Sequence, residues 1–103
     1  MTSGLTVGTG VIAEMVRLAA FEVPGVQAVG RSGGPWRRLF LSRPVNVRLR
    51  GNRVTVQLSI VARPGQAQVP LAAQVRTAVA ATVERLLGLE LEAVSVVVDG
   101  VGR

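Results

Sequence analysis

The sequence contains no cysteine, histidine, lysine or tyrosine, and only three aromatic side chains in 103 residues. Each absence closes a class of function. Without cysteine there is no disulfide framework, no thiolate zinc site and no thiol nucleophile. Without His, Lys or Tyr most general bases and amine or phenol nucleophiles are also gone. Serine and threonine remain, with no base of suitable pKa beside them. The expectation is a protein that is not an enzyme, with no catalytic residue, no metal and no cofactor. The chain also lacks a run of about 18 apolar residues that would span a bilayer, and its N-terminus lacks the basic-then-apolar pattern of a signal peptide. A cytoplasmic protein follows, one that reaches a membrane only through a partner.

Acidic residues are missing from the whole middle of the chain. Between Glu22 and Glu84 there are nine arginines (Arg31, Arg37, Arg38, Arg43, Arg48, Arg50, Arg53, Arg63 and Arg76) and no carboxylate. The net charge of +6 is therefore a basic middle between weakly acidic ends. A field of one sign draws anionic partners such as nucleic acid, lipid headgroups or acidic proteins. The absence of lysine beside abundant Ala, Gly, Val and Arg fits a genomic composition bias equally well.

What is present is a core-forming chain. Apolar residues make up 49 %, enough for one domain over residues 1–103 that buries roughly two-thirds of its unfolded surface. With so few aromatics the core must be Val, Leu, Ile and Ala. Leu5 and Val7 alternate as a short edge strand would. From Gly10 the period is helical, with Ile12, Val16, Ala19 and Val23 in one stripe widened by Met15 and Phe21 or Ala20. Thr9 is placed to cap this helix, and Pro24-Gly25 stops it. Val26 to Val29 reads as a short strand, and residues 30–44 as a loop or mobile insertion.

Two alternating strands follow. Val45, Val47 and Leu49 face one way and Asn46, Arg48 and Arg50 the other; Val54, Val56, Leu58 and Ile60 then alternate with Arg53, Thr55, Gln57 and Ser59. Gly51-Asn52 supplies the tight turn, and the alternation predicts one covered and one wet sheet face. Pro70 suits the first turn of a second helix, whose apolar face is Leu71, Ala72, Val75, Val79, Val83, Leu86 and Leu87. Gly88 fits its left-handed terminus. The last strand runs from Leu91 to Val98, with Val94, Val96 and Val98 on one face. Leu89 and Leu91 are out of phase with these valines, which predicts a bulge near Glu92-Ala93. The order helix, hairpin, helix, strand predicts an α+β two-layer sandwich, both amphipathic helices on one face of a small mixed sheet. The second helix joins two strands, as a parallel crossover would.

Val11-Ile12, Ala19-Ala20, Glu22-Val23 and Gly25-Val26, the run Val54 to Ile60, then Val75, Val79, Val83-Glu84, Gly88-Leu89, Val94 to Val98 and Gly100-Val101 form an ordered set. In order and spacing, over about residues 7–29 and 45–101, this set resembles the bacterial alkaline-shock (general stress) protein family. The resemblance implies a non-enzymatic cytoplasmic protein linked to cell-envelope stress, self-associating into a homo-oligomer and held near the membrane by a separate anchor protein. It transfers no catalytic residue. Leu87 stands where the family has Thr before the Gly-Leu pair, and the 30–44 loop and the basic charge are departures from it.

Candidate sites are few. Trp36, Arg37, Arg38 and Phe40 gather two of the three aromatics beside two arginines, a mix common at binding hot spots, lipid interfaces and base-stacking surfaces. The same residues would also serve to cover a sheet edge. Arg48, Arg50 and Arg53 share the polar hairpin side, as an interaction surface or simply as a solvated face. Gly30-Arg31-Ser32-Gly33 spells the GxxG with which KH domains clamp a nucleic-acid backbone, so a KH-like module using the basic hairpin and loop is the alternative function. Glu90 and Glu92, with Asp99, offer oxygen ligands of the type magnesium prefers, although a solvated strand entry explains them more simply. Ala73, Ala80 and Ala81 lie off the apolar stripe, where helix propensity accounts for them and close self-association would also use them.

Overall fold

A computed structural model of the chain describes residues 8–30 and 45–101. The elements are α1 (Thr9–Phe21), β1 (Val26–Val29), β2 (Val45–Arg50), β3 (Arg53–Ala62), α2 (Gln68–Ala81), a π-type turn Thr82–Leu86, and β4 (Glu90–Val101). Both helices lie on one face of a four-stranded mixed sheet, the expected α+β two-layer arrangement. Leu5 and Val7 fall outside the described residues, as does the 31–44 segment.

β3 organises the sheet. β4 runs parallel along one of its sides, from Arg53 opposite Glu90 to Ala62 opposite Val101. The other side is shared. β2 lies antiparallel to the first part of β3 (Arg50 opposite Arg53, Val45 opposite Leu58), and β1 to the last part (Val29 opposite Ile60, Val26 opposite Ala62). The chain thus leaves the sheet after Val29 and re-enters at Val45, two β3 positions away. The β2–β3 turn has a positive φ at Gly51 alone (+61°), the glycine-first pattern that matches the right-handed twist of a hairpin. The expected bulge is present: Leu91 sits opposite Val54 and Ala93 opposite Thr55, leaving Glu92 unmatched.

The core is aliphatic. On β3, Val54, Val56, Leu58, Ile60 and Ala62 are all buried, under Ile12, Val16 and Ala20 of α1 and Leu71, Val75 and Val79 of α2. Each such Val, Leu or Ile side chain contributes roughly 1.5–3 kcal/mol by leaving water. Gly25 ties the two helices to the sheet. It is buried, and a Cβ on it would stand 2.6 Å from Gln66 Oε1 and 2.7 Å from Leu71 Cδ1. The Gly25 carbonyl accepts from the Arg63 amide at 2.9 Å, while Arg63 Nε donates to the Pro24 carbonyl at 3.1 Å. The Pro24-Gly25 corner therefore stops α1 and clamps the start of β1 against the start of α2.

Four expectations need correction. Thr9 is not the cap: Gly8 precedes the helix and Thr9 is its first residue, with no side-chain cap bond. The buried stripe of α1 uses Ala20 rather than Ala19, and Phe21, the last helical residue, is half exposed. Leu86 is 70 % exposed. On a continuous α-helix it would line up with Val75 and Val79, but the π-type turn, closed by the Leu87 amide donating to the Thr82 carbonyl at 3.2 Å, adds a residue to the turn and rotates Leu86 outward. Gly88 then ends the helix with φ +67°. Finally, the second face of β3 is wet only in its first half, since Ser59 and Val61 are buried as well.

Candidate interaction surface

The hairpin turn decides where the arginines stand. Gly51 makes a two-residue connection, so Arg50 and Arg53 are directly opposite and Arg48 faces Thr55. Alternation along β2 then puts Asn46, Arg48 and Arg50 on the face away from the helices, and all three are exposed. Arg53 is exposed on the same face. Like charges opposite one another disfavour pairing, and high exposure keeps that cost small.

One acid meets this trio. Glu90, opposite Arg53 on β4, places Oε1 3.9 Å from Arg53 Nε, with both side chains more than half exposed. Such a pair is worth at most about 1 kcal/mol. Among the described residues Arg48 and Arg50 have no ion pair. Among the described residues the outer face thus offers guanidinium groups, planar donors suited to carboxylate or phosphate, at the hairpin end. Farther along, the same face turns to Ser59, Val61 and Val97.

Arg48, Arg50 and Arg53 are therefore brought together as the alternation predicts. Trp36, Arg37, Arg38 and Phe40 lie outside the described residues. What the structure gives is where their segment attaches. Gly30 donates to the Ser59 carbonyl at 2.9 Å, and Val45 opens the strand that carries Arg48 and Arg50. Gly30 follows a strand, whereas the GxxG of a KH domain joins two helices. Glu90 is engaged by Arg53, and among the described residues no group of three or more acidic side chains gathers to hold a metal ion. On the solvent side of α1, the hydrogen bond that Arg17 donates to Glu14 holds its carboxyl below the ordinary range.

Sequence reasoning missed one surface, the outer edge of β4. Val97 and Val101 are 52 % and 51 % exposed, and no described residue pairs with the side of β4 turned away from β3. Its signal was Val96-Val97-Val98, a run that puts valine on both faces. No described helix is long and apolar enough to cross a membrane.

Solved structures with the same architecture include the manganese form of a single-substitution variant of MamM CTD, at 19 % identity and TM-score 0.65, over 90 % of this chain and 99 % of that one. The copper form of MamM CTD matches at 18 % identity and TM-score 0.64, over 88 % of this chain and 84 % of that one. At that identity the likeness is one of fold. No curated protein matches the chain. The family model that matches is that of the alkaline-shock protein 23 family, described as having a cell envelope-related function, and it spans residues 2–103. With that span matched, this chain belongs to the alkaline-shock protein 23 family.

Proposed function

We propose that the chain is a non-catalytic interaction module of the cell envelope, working by self-association and by binding a protein partner near the membrane. The observation that carries this reading is the arginine group Arg48, Arg50 and Arg53 on the wet sheet face, two of them without an acidic neighbour among the described residues. The partner is an acidic protein segment, one that brings carboxylates to Arg48 and Arg50. The 30–44 segment, attached beside this face, supplies Trp36, Arg37, Arg38 and Phe40 as the anchoring part of the surface. Held by such a partner, the domain works at the inner membrane surface without a span of its own. The absence of His, Lys, Cys and Tyr supports a role without chemistry.

Recovery of partners from solubilised membranes tests this. Arg48→Ala/Arg50→Ala and Trp36→Ala/Arg37→Ala/Arg38→Ala variants are expected to lose at least about fivefold of the partner recovered by the parent chain, with circular dichroism unchanged. Equal recovery by a folded variant removes that surface from the mechanism. Binding to single- or double-stranded nucleic acid at low salt, falling steeply as salt rises, would instead favour the KH-like alternative for the same arginines.

A further inference from the structure

The outer edge of β4 has no pairing strand among the described residues. β4 is twelve residues long, and among the described residues its backbone is paired to β3 on one side only. An edge of this length normally carries proline, lysine or an inward-pointing charge that prevents another chain from pairing with it. From Ala93 to Val98 this strand has none of them: the run is Ala-Val-Ser-Val-Val-Val. The side chains tell the same story. On β3 the inner-face residues Val56, Leu58 and Ile60 are at most 2 % exposed, while their parallel neighbours Val94, Val96 and Val98 on β4 are only half-buried. The helices cover the central strand fully and β4 incompletely, so an apolar row stops half-covered at a backbone edge that no described strand pairs.

We infer that this edge pairs with the same edge of a second copy, antiparallel about a two-fold axis near Val96, which joins two four-stranded sheets into one. The inference rests on the self-association proposed above and assigns it a surface. What selects a second copy is the self-complementarity of the strand. With Val96 on the axis, Val94 stands opposite the other copy's Val98, Val96 opposite Val96, and Val98 opposite Val94, so the half-covered row completes itself. On the outer face Ser95 stands opposite Val97. The three acids of β4 avoid one another, since Glu92 faces Gly100 and Asp99 faces Ala93. A parallel pairing in register would place Glu90, Glu92 and Asp99 each against its own copy, which is destabilising. A two-fold axis perpendicular to the sheet also leaves the helix layers of both copies on one side, where they extend a single covered face.

Sedimentation velocity of the full chain from about 1 to 200 μM tests the assignment. The parent chain should show a concentration-dependent dimer. Val97→Lys, at a half-exposed outer-face position, keeps the fold and should weaken dimerisation at least tenfold. The double variant Ser95→Glu/Val97→Lys should restore it, because each new lysine then faces a new glutamate across the axis. A dimer undisturbed by Val97→Lys in a chain of unchanged circular dichroism overturns the β4 assignment and leaves self-association to another surface. A parent chain that is monomeric at every concentration overturns the assignment together with the self-association part of the proposed function. Loss on Val97→Lys without recovery in the double variant rules out the antiparallel register, and an association between this edge and a different protein that survives when the dimer is absent rules out the second copy as its occupant.

Discussion

β3 and β4 are written in the same code and live in different surroundings. Both alternate valine with small or polar residues, and they run side by side in parallel with Val56 beside Val94, Leu58 beside Val96 and Ile60 beside Val98. Yet every inner-face residue of β3 is buried, and every matching residue of β4 is partly open. The difference is position. β3 has β4 on one side, β1 and β2 on the other and two helices above, while among the described residues β4 has one neighbouring strand and the rim of the helix layer. Alternation tells which face of a strand is apolar. How much that face is worth, and whether its edge is finished, depends on strand order.

That comparison is sharpened first by truncating one residue in each strand. Ile60→Ala removes a fully buried side chain and should cost about 2–5 kcal/mol, measured by urea denaturation at low protein concentration. Val96→Ala on β4 should cost about 1 kcal/mol in the same measurement, because the atoms it removes are already partly in water. Equal losses would mean that β4 is as central as β3. Between these two values falls Gly25→Ala, about 1–3 kcal/mol, because the new methyl must displace Leu71 at the joint between β1 and α2. Gly88→Ala, forced to keep a positive φ where the chain enters β4, should cost about 1 kcal/mol.

The smallest effects belong to the wet face. Arg50→Thr removes one of two directly opposed arginines and should change stability by no more than about 0.5 kcal/mol, while reducing partner recovery. That separation of binding from stability is what the proposed surface requires. On α1 the Glu14 carboxyl is held below its unfolded value by Arg17. Its contribution is present above the unfolded pKa and lost as the pH falls through the folded one. Glu14→Gln should therefore flatten the acid limb of the stability curve slightly and leave neutral pH nearly unchanged.

Much of this fold is legible in the residues. The helix that Pro24-Gly25 stops, the Gly51 hairpin, the Gly88 terminus and the bulge at Glu92 all follow from local rules of backbone conformation and side-chain period. The misreadings lie where tertiary context decides. Leu86 has the right spacing for the core, and only the π-type turn sends it outward. Ser59 reads as wet because alternation says so, yet it is buried at the centre of the sheet between β4 and the start of the 30–44 segment. The arginine group was readable as a face, because hairpin pairing is local. The edge of β4 was readable only as valine on both faces of Val96-Val97-Val98, since strand order, and not this run, decides what lies beside it.

Amide hydrogen exchange as a function of protein concentration is the most direct test of the central claim, that β4 is an unfinished edge completed by a second copy. Between about 1 and 200 μM, the outward-facing amides among Ala93–Val98 should become markedly more protected, while those of β3 stay equally protected throughout. If β4 exchange is the same at both concentrations, or if β3 and β4 slow together, the edge is not the place where copies meet.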